Sequence, residues 1–61
     1  MITIHDVVVN TVPLKDVPLN TTGTVVWVYT AKIFEVEFIV DGKSVITSVA
    51  IEQVKLKDEK F

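Results

Sequence analysis

Beyond Gly23 the chain falls into three runs, "TVVWVYT", "IFEVEFIV" and "SVITSV", each rich in β-branched and aromatic residues and separated by "AK" and "DG". Short runs of this kind, punctuated by turn residues, predict a three-stranded antiparallel meander. Upstream, "IHDVVV" predicts a first strand. The segment "NTVPLKDVPLNTTG" then carries two prolines, two asparagines and a closing glycine, and reads as a long loop through which strand pairing cannot run. Downstream, "AIEQV" predicts a single helical turn and "VKL" a short last strand.

The turns fix the register. Asp41-Gly42 is the strongest short hairpin signal, a two-residue type I′ turn whose central residues both need positive φ. It sets Val40 opposite Lys43, Phe38 opposite Val45, Val36 opposite Thr47 and Phe34 opposite Val49, with Glu37 facing Ile46 and Glu35 facing Ser48 on the other side. In the preceding hairpin a two-residue loop at Ala31-Lys32 would set Val28 against glutamate. A three-residue loop, Thr30-Ala31-Lys32, sets Val28 against Phe34 and Val26 against Val36, so it is preferred. A slip of one residue would turn the whole apolar set outward, so the agreement of the two hairpins carries weight. The expected core is Val26, Val28, Phe34, Val36, Phe38 and Val45.

Composition sharpens the class. Thirteen Val, six Ile and seven Thr make 26 β-branched residues of 61, which suit a pleated sheet better than a helix. The length allows one domain, residues 1–61, with an end expected to fray from about residue 58 in the charged tail "KLKDEKF". Cysteine is absent, which excludes disulfides, thiolate metal sites and a cysteine nucleophile. The net charge is −2, with six lysines and no arginine, so the basic stripe of a nucleic-acid binder is missing. There is neither a signal-peptide pattern nor an apolar run of about 20 residues, and the expected location is the cytoplasm.

A strand, a long loop, a meander, a helical turn and a short final strand is the element order of an SH3-like small barrel, so the expected fold is all-β, a single five-stranded barrel. "HDVVV", "DVPL", "GTVVWVY", "FEVEF", "DG" and "IEQVKL", from about His5 to Leu56, resemble a family of small bacterial proteins catalogued as a domain of unknown function. That family is similar to the SH3-like barrels of transcription-elongation and ribosomal modules. The resemblance implies a fold and no activity. The chain departs from it at Asn20, where a loop glycine is usual, and at Trp27, where a polar residue is usual. Asparagine tolerates the left-handed conformation, so the first departure is mild.

Candidate chemistry is sparse. His5, the only histidine, stands beside Asp6, but no further residue completes a catalytic set, and a strand-edge histidine is the simpler reading. Glu35 and Glu37 lie on one strand face about 7 Å apart, a spacing open to metal or acid–base work. With no His or Asp placed near them, they read as solvated charges. The expectation is therefore no catalysis, no metal, no cofactor and no small-molecule substrate.

Trp27 is the informative residue. If Val26 and Val28 face the core, then Val25, Trp27 and Tyr29 face outward, and the pairing adds Ile33, Ile39 and Ile46 to that side. An apolar row rimmed by Glu35 and Glu37 is what a partner or self-association surface looks like. Alternatively, part of the row packs under the amino-terminal segment or the long loop, or a bulge turns Val25 inward. The first expectation is a protein-binding module, a small partner or antitoxin-like or immunity-like subunit, whose acidic balance suits a basic partner. A homodimer through the same face and a nucleic-acid module are the alternatives, the scattered lysines arguing against the last.

Overall fold

A computed structural model describes residues 1–57; the expected fraying from about residue 58 lies outside them. Five antiparallel strands form one sheet: β1 (Val7–Asn10), β2 (Thr22–Thr30), β3 (Ile33–Val40), β4 (Lys43–Ala50) and β5 (Val54–Leu56). A single 3-10 turn, Ile51–Gln53, joins β4 to β5, and the spatial order is β4-β3-β2-β1-β5.

The β3–β4 hairpin has the predicted register throughout, from Val40↔Lys43 to Phe34↔Val49 and one pair beyond at Ile33↔Ala50. Asp41 and Gly42 both have positive φ, 52° and 78°, as a type I′ turn requires.

The β2–β3 hairpin departs from expectation in two places. Thr30 pairs with Ile33, so the connection is Ala31-Lys32, and Tyr29 is the extra residue between Val28 and Thr30. The Thr30 hydroxyl accepts from the amides of Lys32 and Ile33 at 3.0 and 3.1 Å, which fills the tight turn. Val28 faces Phe34 as predicted, but Val36 pairs with Val25 rather than Val26. A second bulge at Val26 shifts the ladder by one residue.

This bulge overturns the placement of Val25 on the outer face and matches the alternative in which a bulge turns Val25 inward. Val25 is fully buried, while Val26 is only partly buried. The cause is parity: a bulge sets two residues against one, so odd positions point inward before it and even positions after it. Upstream of it, Gly23 pairs with Phe38 and must share the inner face. On the other side of β2, the Val25 amide donates to the Asp6 carbonyl and the Val25 carbonyl accepts from the His5 amide.

The sheet must curl. Across five flat strands the outermost two would stand about 19 Å apart, at roughly 4.8 Å per interval. The link from Ala50 to Val54 spans at most about 14 Å even when extended, and it is wound as a 3-10 turn. The two outer strands therefore approach each other at this corner, and the concave side encloses Val8, Val17, Val25, Phe34, Val36, Phe38, Val49 and Val54. Val28 and Val45, expected to be inaccessible, pack against this core while staying partly exposed.

The long loop is more ordered than its composition suggests. Leu14 and Val17 exchange two backbone hydrogen bonds of 3.0 Å around Asp16, which has φ 64°, and Val17 is delivered into the core. Asn20, at φ 64°, adopts the left-handed conformation that its side chain tolerates. Asn10 is fully buried: its Nδ2 donates to the carbonyls of Val12 and Pro18 at 2.8 and 2.9 Å, and its Oδ1 accepts from the Thr21 amide at 2.7 Å. One side chain thus ties both ends of the loop. No helix among the described residues is long and apolar enough to cross a membrane.

Candidate functional site

The convex side of β2, β3 and β4 carries the site residues. Trp27 lies across from Glu35, and Glu35 across from Ser48; in the next row Thr24 faces Glu37 and Glu37 faces Ile46; beyond them Ile39 faces Ser44. Trp27 is 56% exposed, Ile39 and Ile46 57% each and Tyr29 55%. Ile33 lies at the end of this face, between Thr30 and Ala50, and is more covered. Seven of the eight candidate residues therefore share one surface, and Val25 is excluded from it by the Val26 bulge.

The two carboxylates do not rim this surface. They run down its middle strand, with Trp27 on one side and Ile46 on the other. The apolar side chains are interleaved with charge. Both glutamates are held: Glu35 Oε1 accepts from the Tyr29 hydroxyl at 2.7 Å and from the Ser48 hydroxyl at 3.1 Å, and Glu37 Oε2 accepts from Ser44. Oε2 of Glu35 and Oε1 of Glu37 have no hydrogen-bond partner among the described residues. Tyr29 stays protonated above a tyrosine's ordinary range, mainly because its hydroxyl donates to Glu35 and secondarily through desolvation and repulsion by that carboxylate.

This arrangement presents an indole, two isoleucines and two oriented carboxylates with open acceptor positions. A cationic side chain could rest on the indole while meeting a carboxylate.

His5 and the Asp6 carboxylate belong to a turn ahead of β1. His5 is exposed at φ 75°, and the Asp6 Oδ2 accepts from the Thr3 amide at 2.9 Å. The histidine sits in a tight turn ahead of β1, not on a strand edge. Among the described residues no three His, Asp or Glu side chains gather as metal ligands, and no pocket is enclosed.

Four buried residues, Val8, Asn10, Val17 and Val54, have no inward placement in the sequence reading, and the exposed Leu19 of the long loop escapes it too. The near-repeat "VPLKDVPLN" is the one available signal: a doubled Val-Pro-Leu around Lys15-Asp16 allows a small hairpin with one valine inside. Comparison with protein-family models, curated proteins and solved structures finds no match to this chain.

Proposed function

We propose that this protein is a non-catalytic protein-binding module that engages a basic partner through the face around Trp27. The observation that carries the reading is the exposed indole set directly against Glu35, with Glu37, Ile39 and Ile46 in the neighbouring rows. Large exposed aromatics beside oriented charge are typical binding anchors, and the open carboxylate oxygens favour a cationic partner over a second acidic copy. The curled sheet and the element order support an SH3-like small barrel as the scaffold. Nucleic acid remains the weaker reading, because phosphate contacts need clustered cations and this face offers carboxylates.

Trp27 is the only tryptophan, so its fluorescence reports the face directly. Proteins captured from the source cell by the wild type and by Trp27→Glu should differ by the specific partner, and that purified partner should shift the indole emission of the wild type. Retention of the same partner by a folded Trp27→Glu variant would refute the reading.

A further inference from the structure

The outer edge of β4 is a different surface from the Trp27 face. Among the described residues β4 pairs only with β3, and no strand lies on its other side. Next to a two-residue turn the flanking residues Val40 and Lys43 exchange hydrogen bonds, and such pairs then alternate along the ladder. Val45, Thr47 and Val49 consequently bond inward to β3, whereas Ser44, Ile46, Ser48 and Ala50 aim their backbone groups away. Ala50 shows this phase: its amide donates to the Gln53 side chain at 2.8 Å instead of to β3. Gln53 thereby closes the last position of the edge. By this alternation the amides and carbonyls of Ser44, Ile46 and Ser48 point away from β3, no turn or loop hydrogen bond among the described residues uses them, and all three residues are exposed.

Edge strands usually discourage pairing with a charge, a proline, a bulge or short length. β5 has three residues with a central lysine. From Ser44 to Ala50, β4 has no charge and no proline, and its ladder to β3 has no bulge. The inward-facing Val45 and Thr47 are only partly buried, in contrast to Val36 and Phe38 one strand further in, which are fully buried.

The strand is also nearly palindromic. "SVITS" has Ser44 and Ser48 at equal distances from Ile46, with Val45 and Thr47, two side chains of the same shape, between them. We infer that β4 pairs antiparallel with β4 of a second copy about a two-fold axis at Ile46. Ile46 then faces its own symmetry mate, Ser44 faces the mate's Ser48, and Val45 lies against the mate's Thr47. The three outward positions exchange about six hydrogen bonds, two for each facing pair. Charge favours this copy-to-copy contact over stacking of the two Trp27 faces. Stacking would bring Glu35 and Glu37 of both copies together, whereas edge pairing keeps the two β3 strands three intervals, about 14 Å, apart, beyond the roughly 8 Å screening length of physiological salt. A continuous sheet also shows both Trp27 faces on one side.

Sedimentation equilibrium of the full chain up to about 1 mM is the test, since one strand pair lies at the small end of specific interfaces. The wild type should approach the mass of two chains, and the amides of Ser44, Ile46 and Ser48 should gain exchange protection with concentration. Ile46→Pro removes an amide that β3 does not use, and should give one chain at the same concentration. Should that variant unfold, the double variant Ser44→Lys, Ser48→Lys, made together with Glu35→Gln and Glu37→Gln so that the new charges are not neutralised within their own copy, sets like charges opposite each other at exposed positions and should likewise be monomeric. Trp27→Glu should leave the dimer intact. A single-chain mass for the wild type, a dimer that survives the lysine pair, or a dimer lost in folded Trp27→Glu would each overturn the inference.

Discussion

Gly23 lies directly across from Phe38, and a Cβ on that glycine would stand 2.7 Å from the ring carbon Cδ1 and 2.7 Å from Cγ1 of Val36. The fully buried phenylalanine occupies the space that any other residue would need. Gly23→Ala is expected to destabilise the fold by about 1–3 kcal/mol through overpacking, as read by urea denaturation. Phe38→Ala should cost roughly 3–5 kcal/mol, enough to unfold much of a domain this small. Combining Gly23→Ala with Phe38→Leu should cost less than the sum of the two single changes, because the smaller side chain yields the space. Strict additivity would show that the two residues do not compete for it.

Val25 and Val26 are neighbours with opposite fates, and truncation should separate them. Val25→Ala, at a fully buried position, is expected to cost about 2 kcal/mol, and Val26→Ala at the bulge less than about 1 kcal/mol. The reverse order in thermal or urea melts would restore the unbulged register.

How the sequence could show one hairpin and not the other follows from these residues. In "FEVEF" the glutamates mark the outer face, so alternation carries a phase, and Asp41-Gly42 anchors it at the turn. In "VVWVY" both faces are apolar, so a change of parity at Val26 leaves no trace in the pattern. The Trp27 face survived because Trp27 lies beyond the bulge, whereas Val25, ahead of it, did not. Asn10 and Val17 escaped for another reason: their roles come from contacts across an irregular loop, where no period exists to read.

Asn10→Ala would leave the Thr21 amide and the carbonyls of Val12 and Pro18 without their partner, and should destabilise by about 2–4 kcal/mol. Asn10→Asp keeps the shape but cannot donate as a carboxylate, and burial would raise its pKa in the folded state. The folded variant then binds more protons than the unfolded one, so its stability should fall as pH rises through the ordinary carboxylate range and recover on acidification. A pH-independent difference from wild type in urea melts between pH 3 and pH 7 would contradict the buried clamp.

Tyr29 is the only tyrosine, so its ionisation can be followed by ultraviolet absorbance. Its hydrogen bond to Glu35 holds the pKa above the ordinary tyrosine value. The raised value stabilises the protonated fold, an effect present below the unfolded tyrosine's pKa and lost as pH rises through the folded one. Glu35→Gln should move the titration back toward the ordinary value. An unchanged midpoint would mean that the Tyr29–Glu35 contact does not persist in solution.

The loop clamp at Asn10 also bears on the order in which the molecule assembles. The hairpins of β2, β3 and β4 close across two-residue turns and lose little chain entropy, whereas the bonds from Asn10 to Pro18 and Thr21 and from Thr11 to Gln53 join more distant parts of the chain. Interactions that form after the rate-limiting step act on escape from the native state rather than on its formation. Asn10 is therefore expected to act as a latch rather than in the nucleus: its loss should raise the unfolding arm of a denaturant chevron and leave the refolding arm nearly where it was.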